Sequence, residues 1–191
     1  MTQYRKEKKR PLKKQFLILC EGETEVLYFK TFRKENRVKL SAVDVIPYKP
    51  INHDPNGLVE QAIKEKKKGE YEKIWVVFDR DCHHKIDTAQ KKAQVNKINI
   101  AYSNICFEFW ILLHFEETSR AFRSKDELVK YLKKEHNHAK DINHYDKLKP
   151  NMKLAIERAK KLKKENQKTT LTFETNPQTN IHEIITDLLD C

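Results

Sequence analysis

Four apolar runs of strand length, separated by stretches of helical periodicity, limit this chain to a small set of folds. Residues 15–20 (QFLILC) and 74–78 (IWVVF) are continuously apolar, the pattern of strands covered on both faces. Residues 42–48 (AVDVIPY) alternate and are bounded by Pro47 and Pro50, which suits a strand nearer an edge, and residues 98–102 (INIAY) form a short fourth. Between them, Thr24 is expected to cap a helix whose inner stripe is Val26, Leu27, Phe29 and Phe32. Asp54 followed by Pro55 starts a second helix that buries Leu58, Val59, Ala62 and Ile63, and a polar helix is expected over residues 86–97. Strands alternating with helices predict right-handed crossovers and an α/β fold: a mostly parallel sheet of about four strands with helices on both faces.

The second half reads differently. Residues 107–115 (FEFWILLHF) are too apolar all round for a surface helix, so this segment is expected inside. Residues 124–127 (SKDE) fit a capping box before Leu128, Val129 and Leu132, and Leu154, Ile156, Ala159 and Leu162 mark a further amphipathic helix. Ile181, Ile184, Ile185, Leu188 and Leu189 mark the last. At 191 residues the chain suits one core. The expected organisation is a basic arm over residues 1–14, an α/β core over 15–115 and a helical carboxyl-terminal region over 116–191 packed on that core.

The chain carries 39 Lys and Arg against 28 Asp and Glu, a formal charge of +11 at pH 7, with a mean hydropathy of −0.83. Much of its length must therefore be solvated helix face, as lysine-rich residues 160–164 (KKLKK) illustrate. A positive field of this size concentrates polyanions, which makes nucleic acid the expected partner. Arg5, Lys8, Lys9 and Arg10 of the arm suit phosphate contacts, and the same composition also suits a solubilising tail. No apolar run approaches the roughly 20 residues a bilayer crossing needs, so a soluble, cytoplasmic protein with no membrane partner is expected. Cys20, Cys82, Cys106 and Cys191 include no CxxC pair and read as reduced thiols. Neither Cys82-His83-His84 nor His136, His138 and His144 has the paired spacing of a structural zinc site. Trp75 and Trp110 are expected in the core.

The acids gather where such a sheet would bind ligands. Glu21, Glu23 and Glu25 follow the first strand around Gly22, and Asp79-Arg80-Asp81 follows the third. In an open parallel sheet, ligands lie beyond the carboxyl ends of the strands. Gly22 is expected to permit the turn that points Glu21 over the sheet edge, while Asp79 and Asp81 can converge on one cation. Carboxylates held this close repel one another, and an oxygen-preferring Mg2+ or Mn2+ neutralises them and supports phosphoryl transfer. The plainer alternative is that strand-end acids cap the following helices, and Glu23 and Glu25 suit the dipole of a first helical turn. Arg80 suits either a clamp on phosphate or a balance for its neighbours.

A glutamate after the first strand and Asp-x-Asp after the third resemble the Toprim domain of topoisomerases, primases, OLD-type nucleases and small nucleases. More narrowly, residues 20–29 (CEGETEVLYF), 76–81 (VVFDRD), 103–115 (SNICFEFWILLHF) and 175–185 (TNPQTNIHEII) resemble the RloB-like family of prokaryotic defence proteins, related to abortive-infection proteins. These four ordered blocks span most of the chain. The resemblance implies a Toprim-like metal site at Glu21, Asp79 and Asp81, with Glu25, Glu108 and His114 near the same cleft. Ile105 departs from the family pattern, which often has proline there. His114, read on its own residues, ends an apolar segment and also suits a core histidine with one ring nitrogen satisfied.

The expected function is metal-dependent cleavage of DNA or RNA in an anti-phage, abortive-infection setting. Glu21, Asp79 and Asp81 would hold Mg2+ or Mn2+, with Glu21 as ligand or as general acid or base. The alternative is a non-catalytic nucleic-acid-binding or regulatory subunit that works with an ATPase partner.

Overall fold

Each apolar run forms a strand and each periodic stretch a helix. The computed structural model describes residues 16–36, 43–47, 54–80, 86–138, 145–167 and 174–190. Arg5, Lys8, Lys9, Arg10, Asp81, Cys82, His83, His84 and His144 lie outside the described residues. The order is β1 (Phe16–Cys20), α1 (Glu23–Glu35), β2 (Val43–Pro47), α2 (Pro55–Lys66), β3 (Lys73–Asp79), α3 (Ile86–Val95) and β4 (Asn99–Asn104). It continues with α4 (Glu108–Phe115), α5 (Lys125–His136), α6 (Tyr145–Leu148), α7 (Met152–Asn166), β5 (Gln178–Thr179) and α8 (Ile181–Leu189).

The sheet runs β2-β1-β3-β4-β5. The first four strands are parallel: residues 16–20 pair with 43–47 on one side and 73–77 on the other, and residues 75–79 pair with 99–103. Alternation divides the side chains between two layers. Leu17, Leu19, Val76 and Phe78 pack with Leu58, Val59 and Ala62 of α2 and Ala89 and Ala93 of α3. Ile18, Cys20, Trp75 and Val77 face the larger layer, where Phe29 and Phe32 of α1 meet Trp110 and Leu112 of α4 and Ile184 of α8. A fully buried aliphatic or aromatic side chain stabilises by about 1.5–3 kcal/mol, so the continuous apolar runs that define the strands also hold both layers.

The carboxyl-terminal region does more than pack on the core. Residues 178–179 add the fifth strand, antiparallel to β4 at Ser103 and Asn104. Asn180 then covers the next stretch of edge. Its Oδ1 accepts from the Tyr102 amide at 2.7 Å and its Nδ2 donates to the Ile100 carbonyl at 2.9 Å, as a paired strand would. Thr179 and Ser103 hydroxyls meet at 2.8 Å, and Gln178 Nε2 donates to Tyr102 Oη at 2.7 Å. The TNPQTN segment is thus the closure of the sheet edge.

Several local expectations are corrected. α1 begins at Glu23 with Gly22 as N-cap and no side-chain cap, so Thr24 lies within the first turn and does not cap. The inner stripe of α1 is Glu25, Val26, Tyr28, Phe29 and Phe32, and Leu27 is 48% exposed. In α7, Met152, Ala155, Ala159 and Leu162 are buried while Leu154 is 46% exposed. The α5 box is half formed: Ser124 Oγ accepts from the Glu127 amide, but the Glu127 carboxylate reaches the amide of Arg123. The Asp54 cap forms as expected, accepting from the Asn56 amide at 3.2 Å.

Candidate functional site

The carboxyl edge of the sheet is assembled from three chain turns. At the first, the Glu21 amide extends the β1 ladder by one bond, donating to Val77 O at 3.0 Å. Gly22 has φ −104° and ψ 160°, extended backbone that any residue adopts, so it is not the conformational exception its position suggested. What it provides is room: a Cβ there would overlap the Glu25 carboxylate. Glu25 lies on the buried stripe of α1, three and four residues before Tyr28 and Phe29, and is itself buried.

At the second turn, β3 continues one residue past its apolar part to Asp79. Asp79 has the parity of Trp75 and Val77, which turns it toward the layer of α1 and α4. Its Oδ1 accepts from the Phe107 amide at 2.7 Å, anchoring the start of α4, and its Oδ2 accepts from Lys125 Nζ at 2.8 Å. Glu108, the first residue of α4, is buried, and its Oε2 is 3.8 Å from the same Lys125 Nζ. Neither Glu108 oxygen receives an N–H or O–H hydrogen bond among the described residues. The positive end of α4 and the Lys125 ammonium are the features that keep two such carboxylates inside.

The charges act strongly on one another. Burial, and then the charge of Asp79 with that of Glu108 behind it, pushes the Glu25 carboxyl up to about 8, so it carries a proton at neutral pH. Burial alone would make Lys125 a weaker base, but the charge and hydrogen bond of Asp79 and the charge of Glu108 more than reverse this, and it stays an ammonium. Burial, followed by Glu108 and Asp79, pushes the Cys106 thiol up; burial and Glu25 do the same for Cys20. Both cysteines are buried free thiols, and neither is poised to be a nucleophile.

The structure therefore brings Asp79, Glu108 and Glu25 together. Glu21 sits half-exposed at the end of β1 on the parity of Leu17 and Leu19, and the charges that act most strongly on Glu25 are those of Asp79, Lys125 and Glu108. His114 is fully buried in the α4 layer. Its Nδ1 bonds the Trp110 carbonyl at 3.0 Å, its ring lies edge-on to Trp110, and burial holds its pKa down to about 4. That is the core histidine its sequence context suggested. Arg80 pairs with Glu174, while its Nε, buried, has no hydrogen-bond partner among the described residues.

Sequence reasoning missed Lys125. A signal was present: it is the first residue of α5, directly after the Ser124 cap, where a cation opposes the helix dipole and needs an outside reason. Among the described residues, no three His, Cys, Asp or Glu side chains converge as a set ready to hold a metal ion. Lys125 is the cation between Asp79 and Glu108. The donor set still fits an oxygen-preferring divalent ion in its chemistry. It is all carboxylate, Glu108 offers two buried oxygens that receive no N–H or O–H hydrogen bond among the described residues, and Asp81 follows two residues after Asp79 in sequence.

No helix among the described residues is long and apolar enough to cross a membrane. No curated protein and no solved structure matches the chain. The sequence pattern that defines RloB-like proteins matches residues 16–188, which takes in the whole sheet, the carboxylate cluster and the edge closed by Asn180. The chain belongs to the RloB-like protein family.

Proposed function

We propose that this protein is a metal-dependent, Toprim-like nuclease that hydrolyses phosphodiesters of DNA or RNA. The observation that carries the reading is the buried cluster of Asp79, Glu108 and Glu25 at the carboxyl ends of β1 and β3, where α/β sheets place their ligand sites. Three acids are placed there against one lysine, and neither oxygen of Glu108 receives an N–H or O–H hydrogen bond among the described residues. Groups buried at such cost mark a site built for another partner.

Asp79 and Glu108 are the residues that would hold the ion, and in sequence the two acidic motifs add Glu21 and Asp81. Bound Mg2+ or Mn2+ supplies charge stabilisation at the phosphoryl group and a more acidic water. The chain's own residues prepare for this. Asp79, tied to the Phe107 amide, is fixed in place; Glu25 keeps a proton within the cluster; and Lys125 neutralises Asp79 until a phosphate or an ion engages it. Arg80, following Asp79, is the first cation available to the strand. Cytoplasmic action within an anti-phage system, with an ATPase partner, extends this reading from the family resemblance.

One observation favours a second reading. Lys125 already compensates Asp79, so the cluster can stand as a closed charge network in a non-catalytic nucleic-acid-binding or regulatory subunit. Purified protein incubated with a DNA and RNA panel and Mg2+ or Mn2+ separates the two. The nuclease reading expects cleavage that falls by about 100-fold or more in Asp79→Ala and in Glu108→Gln, with salt-sensitive binding retained. Salt-sensitive binding without cleavage, unaltered by either substitution, supports the second reading.

A further inference from the structure

Lys125 fills a place where the carboxylates ask for more positive charge than it carries. Its Nζ is 2.8 Å from Asp79 Oδ2 and 3.8 Å from Glu108 Oε2, so one ammonium serves two carboxylates. One positive charge against that pair leaves a negative charge in excess, and neither Glu108 oxygen receives an N–H or O–H hydrogen bond among the described residues. Two positive charges in that place close the balance, whereas three overshoot it in a buried setting where an uncompensated charge is costly. A divalent ion and the Lys125 ammonium are therefore competitors for one position.

The local structure lets this side chain leave while its backbone stays. Lys125 is the first residue of α5, and the turn before it is tied down: Ser124 Oγ accepts from the Glu127 amide at 3.2 Å and the Glu127 carboxylate accepts from the Arg123 amide at 2.8 Å. In that first turn the helix dipole opposes a cation, so the carboxylates hold the ammonium against a standing repulsion. The Lys125 side chain, on its flexible four-carbon stem, is 35% exposed, against 12% for Asp79 and 4% for Glu108. It also lines an open cavity of about 510 Å³ between the start of α5, the end of β4 and the segment leading into β5. Neither Asp79 nor Glu108 belongs to that lining. Lys125 is thus the member of the cluster that faces both places: it covers the carboxylates from the cavity side, and the cavity is room into which its ammonium can turn.

We infer that Lys125 is a tethered cation that occupies the divalent-ion position of the carboxylate site and exchanges with the ion, its side chain withdrawing into the adjoining cavity as the site is loaded. The inference rests on the metal-dependent reading above and adds the device that keeps the site closed and partly neutralised without an ion. By reciprocity, the stability that Lys125 gives the metal-free fold is taken from the affinity for the ion.

The test is a Mn2+ titration followed by electron paramagnetic resonance on the full chain, in the parent, Lys125→Met and Lys125→Arg. Removing the charge in Lys125→Met is expected to tighten Mn2+ about tenfold, and Lys125→Arg, which keeps a cation there, is expected to bind no more tightly than the parent. A gain in affinity cannot come from a protein that fails to fold. A second readout needs no variant: labelling of lysines by an N-hydroxysuccinimide ester, read by peptide mass spectrometry, is expected to rise at Lys125 on adding Mg2+ and to stay constant at Lys130, which is exposed on the same helix. Mn2+ affinity in Lys125→Met equal to or weaker than the parent's, equal tightening in both variants, or Lys125 labelling unchanged at saturating ion overturns the exchange. The two readings fail separately. Tighter Mn2+ in Lys125→Met with no cleavage of any nucleic acid sinks the nuclease and keeps the exchange, while cleavage by a parent whose Mn2+ affinity Lys125→Met leaves untouched sinks the exchange and keeps the nuclease.

Discussion

Among single residues, the organising one is Lys125, and it was the least legible. Glu21, Asp79, Asp81 and Arg80 stand out in the sequence because acids flank the strand ends, whereas Lys125 is one lysine among many until the fold sets it 2.8 Å from Asp79. Replacing it with Met leaves Asp79 and Glu108 without their shared counter-charge. Its side chain is about one third exposed, so the expected loss in urea denaturation at pH 7 is about 1–2 kcal/mol, below the range for a wholly buried pair. A variant as stable as the parent means that the ion pair contributes nothing. Glu25 gives a pH signature instead. Its carboxyl is raised from the ordinary 4.5 to about 8 in the folded chain, so its contribution to stability is fully present below 4.5 and is lost as pH rises through 8. Denaturation midpoints at pH 6 and pH 9 should therefore diverge in the parent and converge in Glu25→Gln, in which the amide cannot ionise. Equal divergence in both proteins removes Glu25 as its source.

At the scale of elements, periodicity located the helices but not which flank of each faces inward. In α1 and α7 the apolar stripe is wider than the buried one, and tertiary packing leaves Leu27 and Leu154 in water. α4, apolar apart from Glu108 and His114, is the interior helix its sequence predicts, because it has no polar face to turn to solvent. β5 was not legible. Two residues carry no period, and its partner is the edge of a strand 74 or more positions away. Within the polar run TNPQTN, the side chains of Gln178, Thr179 and Asn180 bond to β4. Asn180→Ala should leave the Tyr102 amide and the Ile100 carbonyl without partners on a half-open edge, costing about 1–3 kcal/mol in urea denaturation. Light scattering should also show concentration-dependent association through that edge. Unchanged stability and a monodisperse variant contradict this role.

The whole molecule was the most legible scale. Alternating strands and helices dictated a parallel sheet with two covered faces, and the sheet dictated that acids at the ends of β1 and β3 share one edge. The strand parity that turns Asp79 toward the layer of Glu108 and Glu25 depended on register, which no single run of sequence contains. The formal excess of 11 positive charges belongs to the chain as a whole, so under the proposed nuclease reading binding of nucleic acid is expected to weaken as salt rises. The most direct test of the central claim is Mn2+ binding followed by electron paramagnetic resonance, in the parent and in an Asp79→Asn, Glu108→Gln double variant shown to be folded by circular dichroism. The account predicts that the parent takes up Mn2+ and the folded variant does not; equal uptake, or none in the parent, contradicts it.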